Sequence, residues 1–101
     1  MDPIRVEDSF GEPVEFKAYW EFSGHEARSD AEKNQLAEGA LVAEGHRYVE
    51  KRRAAGKQIA FDHVQIVRHE SQGSKTKKSW DGTRTHKCWG TVFGYVFVTA
   101  M

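Results

Sequence analysis

The stretch Arg84–Thr99, RTHKCWGTVFGYVFVT, decides the fold. Trp89, Phe93, Tyr95 and Phe97 occupy alternate positions, and Val92, Val96 and Val98 fill the positions between them. Period-two spacing puts the two sets on opposite faces of a strand. A strand that is apolar on both faces is either central in its sheet or covered by an interface. Gly90 and Gly94 share a face with Val92, which predicts close approach of a ring or backbone, or a bulge.

Working outward, Ile59–His69 reads as a second strand, with Ile59, Phe61 and Val67 on one face and Ala60, Val64 and Ile66 on the other. The polar segment between these two runs, residues 70–83, reads as a basic loop or a mobile hairpin tip, with Asp81-Gly82 as its turn. Upstream, Val14, Phe16, Ala18, Trp20 and Phe22 alternate with Glu15, Lys17, Tyr19 and Glu21, the pattern of a half-buried strand after Pro13. Residues 1–12 form an acidic lead-in, with a short edge pairing at Ile4–Val6.

Ser29 followed three residues on by Glu32 is a capping box that opens a helix at Asp30. The composition to Ala55 favours helix, and Gly56 suits the position just past its end. Gly39 and Gly45 interrupt the apolar stripe, so a second reading ends the helix at Gly45 and places a strand over His46–Arg52. The single long helix is the preferred reading. The order β–α–β–β then gives an α+β fold, a small antiparallel sheet packed against one main helix. One helix covers one face, so either the N-terminal segment or a second copy of the chain must cover the other. A homodimer is one expectation.

At 101 residues the chain is a single domain. Net charge is zero, but residues 1–32 carry nine acids against three bases and residues 33–101 twelve bases against six acids. This zoning implies either a dipolar surface or an acidic start that neutralises the basic middle. No apolar run is long enough to span a membrane, and MDPIRVEDSF has no apolar stretch of the signal-peptide type. The single cysteine, Cys88, has no internal disulfide partner, which points to a reducing compartment such as the cytoplasm.

The basic residues form two clusters, and these suggest nucleic acid as the partner. Lys75, Lys77, Lys78 and Arg84 surround Trp80, and Arg47, Lys51, Arg52 and Arg53 sit near the helix end. Cations would neutralise phosphates and Trp80 would stack on a base. The alternative is a non-enzymatic interaction module (an inhibitor, adaptor or assembly subunit) that binds a partner protein. A third reading is a small nuclease in which His63, His69 and His86 converge as acid and base near Arg68 and Arg84. His86 and Cys88, two apart on a strand and so on one face, are candidate ligands for a zinc site. No phosphate-cradling glycine motif occurs, and no cofactor is expected.

Overall fold

In the computed structural model residues 12–101 are described. The expected order holds: β1 (Glu12–Gly24), α1 (Asp30–Ala54), β2 (Ile59–Lys78) and β3 (Arg84–Ala100). The three strands form one antiparallel sheet in the order β1-β3-β2, so the doubly apolar strand is the central one. The reading of residues 1–11 lies outside the described residues. No helix among the described residues is long and apolar enough to cross a membrane.

Helix α1 is continuous through both interrupting glycines. Ala37, Leu41, Gly45 and Val49 recur every four residues as its buried stripe. Gly45 belongs to that stripe because nothing larger fits: a Cβ there would lie 2.5 Å from the Phe61 ring and 2.9 Å from Val96. The Ser29–Glu32 capping box forms at the start. At the end, the Gly56 and Lys57 N–H groups reach back to the Arg53 and Arg52 carbonyls, with Gly56 at a φ of 93°. This is the Schellman closure that Gly permits.

The helix lies on the sheet face built from the even-numbered residues of β1 and β3. Ala18, Trp20, Cys88 and Val92 meet Ala37 and Leu41, and Val96 and Val98 meet Val49. Gly94 lets Leu41 approach, since an added Cβ would sit 2.6 Å from Leu41 Cδ1. The close approach expected at this glycine is therefore made by the helix.

Two expectations about β2 are corrected. Its faces do not follow strict alternation, because the register against β3 shifts between Phe61 and His63, Ile66 and Arg68, and His69 and Ser71. The first shift restarts the alternation, so Ile59, Phe61, Val64 and Ile66 all pack toward the helix, while Val67 is exposed. Residues 70–83 are not a loop. The strand continues to Lys78, and only Ser79–Thr83 turns. Backbone pairing with Arg84–Thr91 holds this polar segment without any apolar side chain. The turn closes with Ser79 N–H donating to the Thr83 carbonyl and Gly82 N–H to the Ser79 carbonyl.

Strand β1 ends at Gly24, opposite His86. Beyond that rung β2 and β3 run on as a two-stranded arm that carries the turn at its tip. Among the described residues no helix lies on the other sheet face. Trp89, Phe93, Tyr95 and Phe97 line its centre, each half-buried.

Candidate nucleic-acid interface

The arm, with the two rungs at its root where β1 still pairs β3, collects the cations of the first basic cluster. Its ladder pairs Lys75 with Lys87, Thr76 with His86, Lys77 with Thr85 and Lys78 with Arg84. Two of these four rungs set cation against cation. Like charges directly opposite each other destabilise a sheet pair, so the arm is not arranged for its own stability. The five cations, Lys75, Lys77, Lys78, Arg84 and Lys87, are all exposed. Among the described residues none of them has an ion-pair partner.

Trp80 sits at the tip with 99% of its surface exposed. An indole held in water, with no apolar neighbour to gain from, is suited to stacking on a flat partner. The one acid of the arm, Asp81, is occupied by the turn. Its Oδ1 accepts the Thr83 N–H at 2.9 Å, and hydrogen bonding from Thr83 holds the carboxyl below its ordinary range.

A cleft of about 120 Å³ opens at the foot of the arm, lined among others by Phe22, Arg28, Lys33, Thr76 and His86. Arg28 lies over the Phe22 ring at 4.4 Å and donates from one terminal nitrogen to Glu32 at 2.8 Å. Its Nε is buried without a partner. His25 braces the same region, its Nδ1 lying 3.3 Å from the Arg84 carbonyl. Sequence reading missed Arg28 and Lys33. They approach the arm only because β1 ends opposite His86, a register that no local pattern displays.

The second basic cluster stands at the opposite pole. The C-terminal end of the helix meets the start of β2, where Arg53 donates to the Ile59 carbonyl at 2.9 Å and to Met101 Sδ at 3.2 Å. Ile59 pairs with Ala100, at the far end of β3 from Arg84. Seventeen strand residues at ~3.4 Å each separate the two ends by roughly 50 Å. Arg47 is tied to Glu44, and Arg52 lies over Tyr48. Arg47, Lys51, Arg52 and Arg53 thus do not join the arm in one surface.

The histidines are not brought together. His63 is opposite Phe97 and stacks on its ring at 4.4 Å on the open face. His69 is opposite Val92 and meets Asn34 of the helix at 3.1 Å. His86 is opposite Thr76, whose hydroxyl lies 3.0 Å from Nδ1. Their rungs on β3, at Phe97, Val92 and His86 itself, are five and six positions apart, so successive histidines stand ~17–20 Å apart along the sheet. That is far beyond the reach of an acid–base pair on one substrate atom. Cys88 is buried under the helix beside His86, and among the described residues no three His, Cys, Asp or Glu side chains gather as a metal site. No ion pair among the described residues links the acids of β1 to either basic cluster.

Compared with known proteins, the chain matches no family model, no curated protein and no solved structure.

Proposed function

We propose that the protein binds single-stranded nucleic acid through the β2–β3 arm, without catalysis. Phosphates lie on Lys75, Lys77, Lys78, Arg84 and Lys87, and an unpaired base stacks on Trp80. The observation that carries this reading is the pairing of Lys75 with Lys87 and of Lys78 with Arg84. Such rungs cost stability until a polyanion neutralises them. The fully exposed Trp80 beside them supplies a contact that every base can make. Arg47, Lys51, Arg52 and Arg53, at the other pole, take no part in the same contact. The lone, buried Cys88 suits a reducing compartment such as the cytoplasm.

The test is equilibrium binding of short labelled single strands, RNA and DNA, at about 50 and 200 mM salt, with the oligonucleotide checked for cleavage. Five cations on a single strand give a log–log slope of about −3.5, so affinity falls roughly 100-fold across that range. Replacing Lys75, Lys77 and Lys78 by Ala flattens the slope. A salt-independent affinity, or one the triple variant leaves unchanged, overturns the reading.

A further inference from the structure

The cleft at the foot of the arm lies on the helix side of the sheet. His86 and Cys88 belong to the even-numbered set of β3 that meets the helix, and Thr76 and Ser74 stand opposite them and share their face. Two positions inward from His86, Cys88 is buried beneath α1, with Phe22 packed against the same cluster. Two positions outward, Lys78 and Arg84 stand on the same face, ~7 Å from Thr76 and His86. A nucleic-acid strand that follows this face down from Trp80 passes the Lys78–Arg84 rung and reaches the cleft. There the start of the helix closes the way along the sheet.

Cations collect around the cleft without acids to match them. Arg28 and Lys33 both line it and are both half-buried. Arg28 gives a terminal nitrogen to Glu32, but its Nε is buried with no acceptor, and Lys33 has no ion-pair partner among the described residues. A buried N–H of a charged group without an acceptor is costly, and an anion at this place would supply one. The Thr76 hydroxyl lies 3.0 Å from His86 Nδ1. With Nδ1 accepting from Thr76, the ring proton sits on Nε2, a further donor. Glu26, exposed, is the one acid among the described residues that line the cleft.

Size and position narrow the ligand. The volume is about 120 Å³, a little less than the ~150 Å³ that holds a benzene ring. One tetrahedral oxyanion fits and a nucleoside does not. The cleft is also remote from the start of β1. Glu12 stands opposite Val98 and Gly24 opposite His86, roughly 40 Å apart at ~3.4 Å per residue. Residues 1–11 could span that distance only at full extension.

We propose that the cleft is a phosphate site that takes the terminal phosphate monoester of a single strand laid on the helix-side face of the arm, with Arg28, Lys33 and His86 as its donors. A monoester carries nearly two charges and three acceptor oxygens, which suits three convergent donors better than a diester within the chain. The strand's place on the arm rests on the function proposed above; the affinity of the cleft for phosphate does not.

The experiment measures equilibrium binding of one single-stranded sequence with hydroxyl ends, with a 5′-phosphate and with a 3′-phosphate, at fixed salt. One of the two phosphorylated strands should bind on the order of tenfold tighter than the hydroxyl-ended strand. Lys33→Gln and His86→Gln should each cut that preference several-fold, and Glu26→Gln should enlarge it. Equal affinity for all three strands overturns the proposal and leaves binding by the arm standing. An equal gain from a phosphate at either end is a general charge effect and overturns it as well, as does a preference that both Lys33→Gln and His86→Gln leave intact. If no strand binds, the arm reading falls and inorganic phosphate alone decides the cleft. A saturable shift of the His86 ring resonances that Lys33→Gln removes supports the phosphate site, and the absence of any shift overturns it.

Discussion

Lys78 and Arg84 stand opposite each other on the last rung of the β2–β3 ladder, two cations side by side at the root of the turn. With no ligand present that rung opposes folding of the arm, and with a phosphate between the two it supports binding. Lys78→Glu makes an opposite-charge rung in its place. The variant should gain ~0.2–1 kcal/mol in arm stability and lose about tenfold or more in affinity for single-stranded RNA or DNA. Amide exchange of residues 75–87 reads the first effect and a fluorescence anisotropy titration the second. A variant that binds as tightly as the parent removes the arm from the interface.

Trp80 makes no packing contact that folding relies on, being almost wholly in water. Trp80→Ala should leave the melting temperature unchanged. Stacking of one base is worth ~1–3 kcal/mol, so the same variant should weaken single-strand binding roughly 5- to 150-fold, and Trp80→Phe should recover part of the loss. Quenching of Trp80 emission by the oligonucleotide, measured by difference from Trp80→Ala, reports the contact directly. Equal affinity for the Ala variant excludes stacking.

The central strand was legible because its two faces are both apolar and its period is unbroken from Cys88 to Val98. The helix start was legible because Ser29 and Glu32 stand at the one spacing that satisfies two orphan N–H groups at once. Strand β2 was less so. A bulge is an extra residue in the backbone, and nothing in the side chains of Asp62, Val67 or Glu70 announces one. The arm was misread for a related reason: Ser74–Lys78 has no apolar face, and its order comes from backbone pairing with β3, which composition does not record. The site suffered most at long range. The two basic clusters look like neighbours in sequence composition, yet the antiparallel path of β2 carries them to opposite ends of the sheet.

The capping box makes helix stability pH-dependent with a definite sign. The Ser29 backbone N–H donates to Glu32 Oε1 at 2.9 Å and, with the Ser29 side chain, holds the Glu32 carboxyl below its ordinary range. A group whose folded pKa is lowered contributes stability above its unfolded pKa and loses it as pH falls through the folded one. The parent should therefore lose stability as the pH is lowered from the ordinary glutamate range, in part through Glu32. Glu32→Gln should flatten that portion of the acid limb. Ser29→Ala should cost ~1 kcal/mol at neutral pH by removing the oxygen that accepts the Glu32 N–H. Urea melts of the three proteins across the acid range supply the comparison; parallel curves for parent and Glu32→Gln would place the acid dependence elsewhere.

Gly39 and Gly45 occupy the same helix and carry the same intrinsic penalty, but they face different surroundings. A Cβ on Gly39 meets nothing within 4 Å, whereas one on Gly45 meets Phe61 and the fully buried Val96. Gly39→Ala should stabilise the protein by up to ~1 kcal/mol, the helix-propensity gain with no opposing contact. At Gly45 the same gain is set against overpacking of ~1–3 kcal/mol, and the helix cannot retreat while Leu41 is seated on Gly94. Gly45→Ala should therefore lower the melting temperature while Gly39→Ala raises it. The sign difference between two identical substitutions is the measurement that fixes which helix face lies on the sheet. Stabilisation by both would mean that the stripe of Ala37, Leu41, Gly45 and Val49 is not the packed one, and with it would go the assignment of the aromatic face as the open side.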